Sequence, residues 1–84
     1  MEIETQVQYD NYFELFATEG WKQLIKEVNE DATRREQSVL LQDSTEQFHF
    51  ERGYVGSLNY LYNFEDIVRR TYDELVEDSK DADL

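Results

Sequence analysis

From Trp21 onward the apolar and small residues fall at Trp21, Leu24, Ile25, Val28, Ala32 and Val39, with Arg35 in the one polar slot. Steps of three and four residues put these positions on one face of an α-helix, so the spacing predicts a helix over 18–42 with a single apolar stripe. Thr18 stands where a side-chain oxygen can cap the first free amides, and Glu19 follows in the first turn, where negative charge suits the helix dipole. The stripe fades at Leu40 and Leu41. The next run, Gln42-Asp43-Ser44-Thr45-Glu46-Gln47, has the chemistry of a new helix start. Asp43 with Glu46, or Ser44 with Gln47, sets a capping oxygen three residues ahead of a group that can reach back to it.

A second helix is therefore expected over 43–77. Its main stripe is Tyr54, Leu58, Leu61, Phe64 or Glu65, Val68, Tyr72 and Leu75, while Phe48, Val55, Tyr62, Ile67 and Val76 fill flanking positions. This helix is apolar over much more than one face. Proline is absent and glycine occurs only at Gly20, Gly53 and Gly56, so nothing in the composition interrupts long helices. A short connection makes the two helices antiparallel neighbours. Residues equidistant from Asp43 then meet, which sets Ala32 opposite Gly53 and Gly56. Glycine inside a helix costs about 1 kcal/mol relative to alanine. Ala32, Gly53 and Gly56 are accordingly expected to form a close backbone approach, the other reading being that the glycines mark a kink or a frayed helix start.

Residues 1–8 lack an apolar pattern and are expected to be extended or mobile, as is the acidic tail over 78–84. Between them, 9–17 reads as a short aromatic helical segment folded over the open end of the helix pair, with Phe13, Phe16 and Trp21 forming an aromatic end cluster. The expected fold is all-α and a single small domain: an antiparallel two-helix hairpin with a short N-terminal helical segment and an acidic C-terminal tail.

The composition makes that hairpin thin. In 84 residues only 39% are hydrophobic with tyrosine counted, and no cysteine is present to staple the chain. Two helices of this kind are too small to be stable alone, so part of the aromatic surface of the second helix should meet a partner. Tyr54, Tyr60, Tyr62 and Phe64 are the candidate partner interface, since aromatic rings dominate interface energetics and tyrosine hydroxyls tolerate a wet rim. The competing possibility is that the N-terminal aromatic segment covers these rings.

A formal net charge of −12 repels nucleic acid and anionic membranes. The basic residues are dispersed among acids, so no direct nucleic-acid binding is expected. No apolar run approaches the roughly 18 residues of a membrane span, and MEIETQVQ has neither the basic start nor the apolar middle of a signal peptide. Catalysis has little support: His49 is the one histidine, and there is no cysteine nucleophile and no G-x-S-x-G motif. Asp78, Asp81 and Asp83 lack the spacing and the final bidentate acid of a calcium loop, and the glycines fit no nucleotide pattern. No enzyme activity, metal or cofactor is expected.

Two strings add a family likeness. LFATEGWKQLIKEV (Leu15 to Val28) and FHFERGYVGSLNYLYNFE (Phe48 to Glu65) resemble paired signatures of small uncharacterised acidic helical-hairpin proteins of tailed, chiefly short-tailed, bacteriophages. In these a GW-K segment opens one helix, and an F-x-x-G-x-x-x-x-L-x-x-L pattern opens a second after a charged linker. The resemblance covers Leu15 to Glu77, about three quarters of the chain. It implies phage origin, a helical hairpin and a structural or assembly role in the virion or in the cytoplasm of the infected bacterium, with no functional residues to carry over. The expected partner is a protein, either a second copy or a larger virion protein. An alternative is an acidic regulatory binder that occupies a basic, DNA-binding surface of a host or phage enzyme.

Overall fold

The computed structural model describes residues 1–39 and 41–82. Among the described residues there are four helices and no strand: α1 (Ile3–Phe16), α2 (Glu19–Val39), α3 (Thr45–Tyr62) and α4 (Phe64–Ala82). Leu40, where the first stripe fades, and the tail residues Asp83 and Leu84 lie outside the described residues.

The caps follow the local chemistry. Thr18 Oγ1 accepts a hydrogen bond from the Trp21 amide at 3.1 Å and donates to the Leu15 carbonyl at 2.7 Å, so one hydroxyl closes α1 and opens α2. Of the two capping pairs available before α3, Ser44 is the one used: its hydroxyl accepts from the Gln47 amide at 3.0 Å. The long second helix expected over 43–77 is split at Asn63. The Asn63 side-chain amide donates to the Asn59 carbonyl at 2.9 Å and its backbone sits at φ −90°, ψ 0°. The Asn63 carbonyl already accepts from the Ile67 amide, so α4 starts one residue after α3 ends. An asparagine side chain competing for backbone carbonyls makes this break without glycine or proline.

Helix is found in described residues of both segments expected to be extended or mobile. Residues 3–8 are the first turns of α1, which joins them to the aromatic segment 9–16, and residues 78–82 continue α4. In α1, Tyr9, Phe13 and Phe16 point to the protein interior while Ile3 and Val7 point away, so the helix carries apolar groups on two faces and shows little amphipathic signature in the sequence.

Helix α2 lies against α3 and runs antiparallel to it, with Trp21 near the start of α2 bonded to Glu65 just beyond α3, and Arg35 near its end bonded to Glu51. Helix α1 lies against α4 in the same sense: the Met1 amine donates to Ser79 Oγ, Tyr72 Oη donates to Gln6 Oε1, and Phe16 reaches Phe64. At 1.5 Å per residue α1 and α2 are about 21 and 32 Å long. The longest dimension of the molecule is 58 Å, which sets the two pairs end to end as an α1/α4 limb and an α2/α3 limb. Phe16, Trp21 and Val68 are buried where the limbs join, with Tyr9, Phe13, Ile25, Leu61 and Phe64 packed around them. Val28, Ala32, Val39 and Val55 carry a thinner seam along the α2/α3 limb, and Leu24, at the margin of the first stripe, is 45% exposed.

The close approach at Ala32, Gly53 and Gly56 is not formed. Ala32 is buried, but a Cβ placed on Gly53 or Gly56 would meet no atom within 4 Å. The reason is rotational. α3 turns Val55, Leu58 and Glu51 toward α2, and at about 100° per residue Gly53 lies on another side of the helix while Gly56 borders the open groove beside that contact. Both glycines are therefore open helix positions with only the entropic cost of lacking a side chain. Gly53→Ala and Gly56→Ala should each stabilise the free protein by roughly 0.5–1 kcal/mol, a rise of a few degrees in Tm followed by circular dichroism. A fall in Tm for both would restore the packed-glycine reading.

Candidate interaction surfaces

The junction is built from rings and sealed by a polar chain. Phe16 packs on Trp21 at 5.2 Å between ring centroids, Phe64 stands edge-on to Tyr12 at 5.5 Å, and Tyr72 meets Tyr9 and Phe13 at 5.3 and 5.1 Å. The indole Nε1 of Trp21 donates to Glu65 Oε1 at 3.2 Å, and Arg69 Nε donates to the other oxygen of that carboxylate at 3.0 Å. The Arg69 guanidinium lies over Phe13 and Phe16 at 5.3 and 5.6 Å. Phe13, Phe16 and Trp21 are thus brought into one cluster. Phe64, assigned by sequence to a partner interface, belongs to this cluster as well, within 6.5 Å of the Tyr12, Phe16, Trp21 and Tyr60 rings. It is half-buried because the break at Asn63 places it at the first turn of α4, against α1 and α2.

The other three predicted interface rings remain outside the core. Tyr54, Tyr60 and Tyr62 are 40, 60 and 43% exposed, and Phe50, which the sequence reading passed over, is 65% exposed. They share one helix and not one line. At about 100° per residue Phe50 and Tyr54 lie on neighbouring directions, while Tyr60 and Tyr62 are turned about 120° and 80° from Tyr54. Phe50, Tyr54 and Tyr60 consequently make an outward arc of about 120°, while Tyr62 falls on the Val55 side at the end of α3.

Tyr54 is held at the edge of that arc by Arg35, the polar member of the α2 stripe. The Arg35 guanidinium lies 4.2 Å from the Tyr54 ring centroid, donates through Nε to Asp31 Oδ2 at 3.1 Å, and reaches Glu51 Oε2 at 3.5 Å. Arg34 Nη2 donates to the second Asp31 oxygen at 2.7 Å. Hydrogen bonds from Arg34 and then Arg35 hold the Asp31 carboxyl below its ordinary value of 3.8. The hydrogen bond to Asp31 in turn raises Arg35 above its ordinary range. One guanidinium therefore spans α2 and α3 and fixes a ring on the surface.

A second exposed apolar set escaped the sequence reading. Ile3, Val7 and Leu15 on α1 are 83, 51 and 43% exposed, and with Asn11 they recur every fourth residue. That spacing was the available signal, masked because the inward rings of α1 fall between its members. Charge separates the two surfaces. Residues 1–16 and 64–82, the α1/α4 limb, carry eleven acidic and three basic side chains, whereas residues 17–63 carry eight and five.

The concave features are shallow. A groove of about 460 Å³ runs between α2 and α3, with Val39, Phe48 and Val55 as its floor and Glu36 and Arg52 at its rim. Among the described residues no three His, Cys, Asp or Glu side chains are arranged to hold a metal ion, and no helix is long and apolar enough to cross a membrane. His49 sits beside Phe48 and is exposed.

The Asp31 bridge has a definite pH dependence. Because its carboxyl titrates below 3.8 when folded, its contribution is complete above that ordinary value and is lost as the pH falls through the folded value. Asp31→Asn should therefore lower the denaturation midpoint at neutral pH, with parent and variant converging once the pH drops below 3.8. A gap between the two that stays constant with pH would contradict this role.

No family model, curated protein or solved structure matches this chain.

Proposed function

We propose that this chain is a non-catalytic structural or assembly protein of a tailed bacteriophage, packing through the aromatic arc of α3 onto a second copy or onto a larger virion protein. One observation carries the reading. The N-terminal aromatic segment packs its inward rings on α4 and the junction, and among the described residues Phe50, Tyr54, Tyr60 and Tyr62 are left exposed. Exposed rings side by side on one helix are the material of a contact surface. Tyrosine with phenylalanine suits such a surface because few torsions are frozen on contact. The phage assignment is supported by the resemblance of Leu15–Val28 and Phe48–Glu65 to paired phage signatures, and the proposal includes a location in the virion or the cytoplasm of the infected bacterium.

A second reading, an acidic binder that occupies a basic DNA-binding surface, is favoured by the net charge of −12. The two respond oppositely to salt and to substitution. Association through α3 should lose at least about 2 kcal/mol, roughly 30-fold in affinity, in the double variant Phe50→Ala with Tyr60→Ala, and should change little with ionic strength. Binding through carboxylates should be weakened by Glu27→Gln with Glu30→Gln, which leave the Asp31 bridge intact, and should fall steeply as salt rises. Sedimentation of the parent and both variants at low and high salt separates them. Mass spectrometry of purified particles adds the location: a stoichiometric amount is expected, and absence from the particle would move the assignment to the acidic binder.

A further inference from the structure

The outward side of α1 takes no part in the α3 surface and has its own chemistry. Ile3, Val7, Asn11 and Leu15 form an i, i+4 row, the kind of ridge that interdigitates with a neighbouring helix, and it extends over about 18 Å. Ile3 is 83% exposed and Val7 51%, on a helix whose inner rings are already satisfied by α4. Gln8, Asn11, Tyr12 and Leu15 line a shallow depression beside the ridge, wide enough to seat a large side chain.

The charge around this ridge specifies its occupant. Residues 1–16 contain Glu2, Glu4, Asp10 and Glu14 and no lysine or arginine. Among the described residues none of these four carboxylates makes an ion pair, while Arg69, one of the three basic residues of α4, is engaged by Glu65 and the junction rings. A second copy seated here would bring two limbs of eleven acids and three bases within a Debye length of one another. Nucleic acid and anionic bilayers would be repelled for the same reason.

We propose that the outward ridge of α1 is a docking strip for a basic amphipathic helix of a partner protein. The apolar side of such a helix covers Ile3, Val7 and Leu15, and its lysines or arginines reach Glu4, Asp10 and Glu14 on either side. Burial supplies affinity and the carboxylates supply orientation and speed of encounter. The strip is independent of the α3 surface, since it lies on the other limb and uses none of its residues.

The test is calorimetric titration of the full chain with a synthetic leucine–lysine peptide of about five helical turns, its leucines at helical spacing, beside a peptide of the same composition in scrambled order. The parent should bind the helical peptide, with affinity falling about tenfold or more between roughly 0.05 and 0.3 M salt. Ile3→Ser with Val7→Ser should weaken binding at least about tenfold while the circular dichroism spectrum is kept, since both positions are exposed. Glu4→Gln with Asp10→Asn and Glu14→Gln should flatten the salt dependence, and Tyr60→Ala should bind as the parent does. Equal binding of the scrambled peptide, or no loss on removing Ile3 and Val7, would overturn the proposal by reducing the limb to an unspecific counter-charge. Dimerisation of the parent that Ile3→Ser with Val7→Ser abolishes would also overturn it, assigning the ridge to a second copy.

Discussion

The four helices of the described residues meet at one cluster of rings. Phe16 arrives from α1, Trp21 and Ile25 from α2, Leu61 from α3, and Phe64 and Val68 from α4. Neither limb has enough interior of its own, since a pair of short helices buries a narrow seam and a core of this size supplies only about 3–5 kcal/mol. The junction makes one folding unit of two insufficient ones. Its polar seal matters for the same reason: Glu65 accepts from both the Trp21 indole and Arg69, so a carboxylate at the edge of an apolar cluster has both oxygens engaged.

Concentrating the large rings at the junction leaves the rest of the molecule little to bury, and this shapes the two surfaces. Along the α2/α3 limb the interior is valine and alanine, and the long reach between the helices falls to Arg35, which bridges Asp31, Glu51 and the Tyr54 ring. The remaining aromatics of α3 stay outside. Along the α1/α4 limb the inward rings of α1 satisfy α4, and the surplus is aliphatic and framed by carboxylates. A near-neutral aromatic arc and an acidic aliphatic ridge are different kinds of contact, and the chain keeps them on different limbs.

How much of this could be read from the residues depended on whether one physical cause acted at a time. The stripe at Trp21, Val28, Ala32 and Val39 and the hydroxyls of Thr18 and Ser44 were legible because helical spacing and capping each leave a local mark. The gathering of Phe13, Phe16 and Trp21 followed from their place in the chain. Helix α1 was not legible before residue 9, because apolar groups on both of its faces cancel the periodicity that reveals a helix. The break at Asn63 was hidden because a side-chain amide, and no glycine or proline, makes it, and with it went the displacement of Phe64 from surface to junction. Gly53 and Gly56 misled in the other direction. A residue that costs helix stability invites a structural explanation, yet the rotation of α3 about its own axis, set by Val55 and Leu58, leaves both in open space.

The dependence of the whole fold on the junction is most directly tested by native-state hydrogen exchange of the free protein. If the rings at the junction hold both limbs, the amides near Phe16, Ile25 and Val68 should be the slowest, and those in the inner turns of α1 should open with the same free energy as those in the middle of α2. Exchange of α1 and α4 at the rate of an unfolded chain, while α2 and α3 stay protected, would contradict the account by showing that the α2/α3 limb stands without the junction.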